Sequence, residues 1–402
     1  MRTTFFDFIG AADMERIHSA TIAWMISDKC EAFNLEDRIF LLNTLFGTTL
    51  TDIKSITVCN EFNRIDIAFI TTHLNGGKEF WAVENKVKAP LGNNQLKKYE
   101  DITSCTPRWN GTRRKKKEEI ERNDEKNSEL NYQDCHFAVL SLIGVLPQDY
   151  YGDWHIVEYS EFLKALQLIC NKINYENQHL VIIHEYRDCL SNFVIALSQF
   201  RKHPEEFPFV FTEGNKKKSA KLDITESGLN DCTIGEYISN NGLETLLQKD
   251  YFANLLKEIY QDFDEINSMV DHCHVTETHG NADFAFHFRN SGIEMEFDLS
   301  FQNGTFKFAG TKKNYPKVGI DEKKNFLIEW ENVFLSIVKS DIFSDYNKLN
   351  RPKSRARISV SYTLGDKWYE IDRNEFIKIV RNQISIAYNM MTYVIGQKYT
   401  SV

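Results

Sequence analysis

The sequence predicts an α/β domain with a mixed sheet flanked by helices, followed by a C-terminal α+β domain. Two observations support this. Over the first 200 residues, short apolar and β-branched runs alternate with helical patterns, which is typical of α/β folds. Residues 201–232 then bring two prolines and several lysines, which indicates a linker. We therefore expect domains at residues 1–200 and 233–402.

The elements of the first domain follow from these patterns. Residues 13–27, with Asp13 as N-cap, and 36–47 are predicted to be helices. The run at 137–145 is apolar throughout, as in a strand buried on both faces. The other predicted elements are strands 55–62, 65–70, 80–87 and 154–157 and helices 91–102, 160–173 and 180–199.

The second domain has a different pattern. Residues 233–270 are predicted to be mostly helical. Three short strands joined by Asn- and Gly-containing turns predict a meander. These strands are 282–288, 293–299 and 305–308, and helix 321–338, strand 357–362 and helix 373–394 follow.

Composition excludes several classes of protein. With 402 residues and 42% hydrophobic content, the chain can bury sizeable cores and is not disordered. A formal net charge of −9 means that any contact with nucleic acid needs a local basic surface. The eight cysteines lie far apart, as in a reducing cytoplasm, and no apolar run has transmembrane length. We expect a cytoplasmic protein with no membrane partner.

A predicted hairpin at residues 61–86 carries the candidate chemistry. Alternation on a strand places Glu84 and Lys86 on one face and Asn85 on the other. Asp66 lies on the partner strand, so the register would bring these charges to one edge of the sheet. A Glu-x-Lys pair is more often a solvated charge pair, but the apolar neighbours here predict burial, which is costly for charge without a reason. Two carboxylates suit Mg²⁺ or Mn²⁺, and such sites hydrolyse phosphodiesters.

This arrangement resembles the PD-(D/E)XK nuclease superfamily. Asp66 followed by Glu84-Asn85-Lys86 matches its signature, and Gln95 with Tyr99 resembles an "ENK…QL..Y" subgroup of bacterial members. Ile65 stands where the superfamily name has Pro. The resemblance covers the first half of the chain and implies a restriction-endonuclease-like mixed sheet.

The resemblance also implies roles. Asp66 and Glu84 would bind Mg²⁺ (or Mn²⁺), with the main-chain carbonyl of Asn85 as third ligand. Lys86 would position the attacking water or help to deprotonate it, and Glu15 would complete the acidic cluster. Gln95 would order water or phosphate. Secondary candidates are Glu61, His18 and Tyr99.

The implied function is a Mg²⁺-dependent DNA nuclease, an endonuclease serving defence against foreign DNA or repair. The alternatives are an RNA nuclease, a catalytically idle nucleic-acid-binding protein, and a regulatory protein. The expected partner is nucleic acid, with DNA preferred, and a homo-oligomer is left open. Five consecutive basic residues at 113–117, and lysines within 216–221, are either phosphate contacts or solvated segments.

Two further patterns in the second half favour simpler explanations. His272, Cys273, His274 and His279 match no closed zinc spacing. The acidic residues at 294, 296 and 298 alternate with apolar ones, which indicates a half-buried strand with an acidic outer face.

Overall fold

The computed structural model describes residues 1–11, 14–62, 65–87, 96, 134–143, 154–173, 177–212, 232–261, 263–278, 281–289, 294–313, 319–351 and 356–400. The chain forms two compact units. One comprises Met1–Ile143, Asp149–Gln199 and Ser219–Leu243, and the other comprises Gly144–Gln148, Phe200–Lys218 and Glu244–Val402. Each unit has its own sheet.

The helices are α1 Phe5–Phe8, α2 Glu15–Ile26, α3 Leu35–Phe46, α4 Tyr159–Lys172, α5 Gln178–Lys202, α6 Phe209–Thr212, α7 Ile234–Asn240, α8 Glu244–Gln261, α9 Ile266–Met269, α10 Ile320–Val338 and α11 Arg373–Thr400. The strands are β1 Ile53–Phe62, β2 Ile65–His73, β3 Lys78–Lys86, β4 Cys135–Ser141, β5 His155–Glu158, β6 Val270–Thr278, β7 Asn281–Phe288, β8 Met295–Gln302, β9 Thr305–Lys312, β10 Lys348–Asn350 and β11 Arg357–Thr363. Every helix in the described part of the chain is too short or too polar to span a bilayer.

The sheet of the first unit is mixed. Its strand order is β1-β2-β3-β4-β5, with antiparallel pairing from β1 to β3 and parallel pairing from β3 to β5. Helices flank this sheet, so the predicted fold class is confirmed. This strand order places β2 and β3, which carry the candidate residues, inside the sheet rather than at its edges.

Strands β2 and β3 are buried on both faces over most of their length. One face packs into an apolar cluster that includes Leu96, which is helical. Apart from Leu96, the predicted helix 91–102 lies outside the described residues. The other members of this cluster are Ile65, Ala68, Ile70, Phe80, Ala82, Val139 and Trp154.

The start of α2 differs from the expectation. The helix begins at Glu15, and the N-cap position is Met14, whose side chain makes no capping bond. Asp13 is therefore not the N-cap. Helix α3 starts one residue earlier than predicted, because Asn34 and Asp37 form a reciprocal capping box there.

The sheet of the second unit is antiparallel, with strand order β10-β11-β9-β8-β7-β6. Strand β6 and the short strand β10 were not predicted. The sequence pattern extended helix to residue 270, whereas β6 begins there and pairs with β7. Pairing with β7 supplies the hydrogen bonds that decide the conformation of this stretch.

A histidine–glutamate cluster lies at the turn end of the β2–β3 hairpin. Glu79 Oε2 is 3.3 Å from His73 Nε2 and 3.9 Å from His136 Nε2. The His136 ring stacks on Trp81 with centroids 3.8 Å apart. Burial lowers the pKa of His136, and this exceeds the opposing effect of Glu79 and Asp134.

This lowered pKa predicts a pH dependence of stability. Because the folded-state pKa of His136 lies below the unfolded value of about 6.5, the unfolded state binds more protons between the two values. The contribution of this group is complete above pH about 6.5 and decreases as pH falls towards the folded-state pKa. The comparison variant is His136→Phe, which keeps an aromatic ring on Trp81. As the pH falls from neutral to mildly acidic, the free energy of unfolding of the wild type should therefore decrease relative to that of His136→Phe. Parallel pH curves for the two proteins would contradict this assignment.

Candidate active site

The candidate residues lie where pairing between β2 and β3 ends. The register runs from Thr72 opposite Lys78 to Ile67 opposite Val83. Continued by one position, it places Asp66 opposite Glu84, and opposed residues of an antiparallel pair share a face. This register therefore places the side chains of Asp66 and Glu84 on the same face of the sheet, as the sequence predicted.

Asp66 holds the neighbouring strand directly. Its Oδ2 accepts a hydrogen bond of 2.8 Å from the main-chain N–H of Asn85. In a strand, the N–H and C=O of one residue point towards the same neighbouring strand. The main-chain carbonyl of Asn85 therefore also points towards the side on which Asp66 lies.

Glu84 and Lys86 form a buried ion pair. Glu84 is only 1% exposed, Lys86 is 9% exposed, and Lys86 Nζ lies 2.6 Å from Glu84 Oε1. Burial lowers the pKa of Lys86, but Glu84, then Glu15 and Asp66, more than offset this, so the pKa is raised. The ammonium form of Lys86 is therefore the stable one in this setting.

Glu15 reaches the site from the first turn of α2. Its Oε1 accepts a hydrogen bond of 3.1 Å from the main-chain N–H of Val87, the residue after β3. A carboxylate is also favoured at a helix N-terminus by the helix dipole. This contact fixes the start of α2 against the end of β3.

Several carboxylates act on Lys86. Three carboxylates, those of Glu15, Asp66 and Glu84, act on one ammonium group. Formal charges of three minus and one plus leave a net of −2 for this group of four. Among the described residues, however, the carboxylate oxygens of these three acids do not all lie within 4.8 Å of one another. The cluster is thus gathered around Lys86 rather than closed on a common point.

The side chain of Asn85 lies on the opposite face of β3 and is fully engaged. Its Nδ2 donates to the main-chain carbonyl of Glu15 at 3.2 Å and to Ser19 Oγ at 3.0 Å. Its Oδ1 accepts a bond of 2.6 Å from the Tyr159 hydroxyl. A buried amide with satisfied donors and acceptor anchors the residue between Glu84 and Lys86.

A comparison with known protein families covers the part of the chain that carries these residues. A family model described as the PD-(D/E)XK nuclease superfamily matches residues 3–188, a range that contains α2, β2, β3 and α4. Within residues 3–188, the chain matches the PD-(D/E)XK nuclease superfamily. Its members generally use divalent metal ions. Comparison with curated proteins and with solved structures gave no match.

The structure places the other predicted superfamily residues in different ways. His18 is 2% exposed, and its Nδ1 lies 3.1 Å from the hydroxyl of Tyr186. Its ring packs edge-on against Tyr159, so its environment is that of a core histidine. Glu61 belongs to β1, but its side chain is outside the described part, as are Gln95 and Tyr99.

Two residues that support the candidate site were not predicted as functional. Ser19 and Tyr159 hold the Asn85 amide from α2 and α4. Burial raises the pKa of the Tyr159 hydroxyl well above its usual value, so it stays a proton donor. A buried amide in the middle of a Glu-x-Lys motif was the sequence signal that such partners must exist.

Removing the hydroxyl in Tyr159→Phe should lower the free energy of unfolding by about 1–3 kcal/mol, because the buried side-chain oxygen Oδ1 of Asn85 then loses this hydrogen-bond donor. Denaturant unfolding measures the difference. The control is Tyr393→Phe, at a half-exposed tyrosine of the second unit, which should change stability by less than about 0.5 kcal/mol. Equal losses in the two variants would show that the Tyr159–Asn85 bond has no special weight.

Proposed function

We propose that the N-terminal unit is a nuclease that uses Mg²⁺ or Mn²⁺ to hydrolyse phosphodiester bonds within DNA. The observation that carries this proposal is the convergence of Glu15, Asp66 and Glu84 on Lys86 at the end of the β2–β3 hairpin. These positions lie inside the range matched by the superfamily model. A structural ion pair would need one carboxylate for this lysine, not three.

The donor set fits a hard divalent cation. Asp66 and Glu84 offer carboxylate oxygens, and Asn85 offers a main-chain carbonyl on the Asp66 side of β3. The three carboxylates that act on Lys86 supply the negative charge that attracts a divalent cation. When bound, such an ion lowers the pKa of a water and stabilises charge on the phosphate. Glu15 adds negative charge and holds α2 in place.

Lys86 acts as a cation in this proposal. Its raised pKa makes it a poor base, so we assign it to orienting the attacking water and offsetting charge on the phosphate rather than to removing a proton. Its ion pair with Glu84 places the ammonium group beside the metal-binding carboxylates.

DNA as the substrate, and a role in defence or repair, rest on the resemblance to bacterial superfamily members. With a chain charge of −9, binding to a phosphate backbone needs a local basic surface, and the run at residues 113–117 is the candidate that the sequence offers. Six cysteines whose side chains the structure describes are free thiols, namely Cys30, Cys135, Cys170, Cys189, Cys232 and Cys273. This supports our placing the activity in a reducing cytoplasm.

The carboxylates can be tested by Asp66→Asn and Glu84→Gln. Each variant should lose more than about 100-fold of the Mg²⁺-dependent cleavage of plasmid DNA, since a metal ligand is worth more than the residues that support it. Gel assays with plasmid DNA, single-stranded DNA and RNA, in Mg²⁺, Mn²⁺ or EDTA, measure this. The control is Glu158→Gln, an exposed carboxylate at the end of β5 in the same sheet, which should keep full activity.

Each outcome of this assay is decisive. Cleavage in EDTA equal to that in Mg²⁺, or cleavage retained by Glu84→Gln, would refute the metal site. Cleavage of RNA without cleavage of DNA would refute the substrate. An inactive wild type with every substrate and ion would favour a nucleic-acid-binding or regulatory role.

A variant of Lys86 can distinguish metal binding from catalysis. Lys86→Met should lose about 100-fold or more of cleavage, while calorimetry should show Mn²⁺ binding at least as tight as in the wild type. The physical reason is that the substitution removes a positive charge and frees Glu84 Oε1 from its ion pair. The control is Lys78→Met at the other end of β3. Weaker Mn²⁺ binding by Lys86→Met alone would show that Lys86 organises the ligands instead.

A further inference from the structure

Three histidines converge on one face of the second sheet, in the C-terminal unit. They are His272 and His274 on β6 and His287 on β7. Taking one ring nitrogen from each, these atoms all lie within 4.8 Å of one another. His287 Nε2 and His274 Nδ1 are only 3.2 Å apart.

The strand register explains how the chain assembles this cluster. His272 is directly opposite His287, and His274, two residues along β6, shares their face. The partner of His274 is Ala285, whose small side chain leaves room for the ring of His287 to lean towards His274. Cys273 is buried on the other face, and His279 lies outside the described residues.

A bulge supplies a neighbouring carboxylate. The register of β6 shifts by one residue between Val270 and His272, which makes Asp271 the extra residue. Asp271 Oδ2 lies 3.1 Å from His272 Nδ1, although adjacent residues of a regular strand point to opposite faces. A hydrogen bond from Nδ1–H to this carboxylate leaves Nε2 of His272 as the nitrogen with a lone pair.

Burial acts on two of the three imidazoles. Burial, and then the neighbouring His272, His274 and Arg357, lower the pKa of His287 to about 3. Burial also lowers the pKa of His274. Neutral imidazole is the form that binds metal ions.

We propose that His272, His274 and His287 form a binding site for one divalent transition-metal ion of borderline softness, with Zn²⁺ as the reference. Two nitrogen ligands at about 2.05 Å from a tetrahedral ion are about 3.3 Å apart, close to the observed separation of the His274 and His287 nitrogens. An imidazole set without carboxylate ligands favours Zn²⁺, Co²⁺, Ni²⁺ or Cu²⁺ over Mg²⁺. This site is separate in sequence and chemistry from the carboxylates of the nuclease unit.

The surroundings fit a cation with a water as fourth ligand. The His272 side chain is 42% exposed, so one side of the cluster faces solvent. Its ring stacks on that of His287 at 8° from parallel, so the exposed ring of His272 has to turn for its nitrogen to bind the same ion. Asp271 orients His272 in the manner of carboxylates that support zinc-bound histidines. Asp298, opposite His287 on β8, accepts two hydrogen bonds from Arg357, so the guanidinium group that acts on His287 is paired with a carboxylate.

The test uses the 402-residue chain after removal of transition metals. Excess Mg²⁺ is present, so that it occupies the carboxylate sites. Calorimetry should show one Zn²⁺ bound per chain, and Co²⁺ should give the visible absorption of a nitrogen-ligated tetrahedral site. X-ray absorption of the Zn²⁺ form should give nitrogen neighbours at about 2.0–2.1 Å. His274→Gln and His287→Gln should each weaken Zn²⁺ binding by about 100-fold or more, and Asp271→Asn by about 10-fold.

Matched variants complete the test. His203→Gln, at an exposed histidine that also lies beside a carboxylate, should bind Zn²⁺ as the wild type does. Asp66→Asn/Glu84→Gln should also keep it, whatever its nuclease activity. His272→Gln changes a half-exposed position and should weaken binding without loss of fold. Undiminished binding by His274→Gln/His287→Gln, loss of binding only in Asp66→Asn/Glu84→Gln, or no binding by the wild type at micromolar Zn²⁺ would each overturn the proposal.

Discussion

The arrangement of the candidate active site depends on one buried residue, Asn85. Its main-chain N–H is bound by Asp66, its amide nitrogen by α2, and its amide oxygen by Tyr159 of α4. Because it lies between Glu84 and Lys86, locking its side chain on one face of β3 directs theirs to the other. A satisfied amide in the core thus determines where the charged pair points.

The charged pair itself is costly for the fold. Burying Glu84 and Lys86 removes both from water, and the attraction between them only partly offsets that cost. The further carboxylates of Glu15 and Asp66 also act on Lys86 and add repulsion among the three acids. A divalent cation bound here, as we propose, would reduce that repulsion.

The second sheet also contains a buried carboxylate, which is paired with an arginine. Asp298 was expected on an acidic outer face, but it is buried and accepts two hydrogen bonds from Arg357, whose strand lies two places away in the sheet. Glu294 and Glu296 are exposed, as that expectation required. Burial raises the pKa of Asp298 despite Arg357. Beside this pair, burial lowers the pKa values of His274 and His287, two of the three histidines of the proposed metal site.

The sequence by itself determined the class of the fold and the strands that carry Asp66, Glu84 and Lys86, because side-chain alternation and turn residues are local properties of the chain. It did not place Tyr159 behind Asn85 or His287 beside His274, nor predict β6. These depend on contacts between residues far apart in sequence, where strand register and helix packing choose the neighbour. Only the tertiary structure decided them, since a buried hydrogen bond or a cross-strand pair exists only once both partners have been brought together.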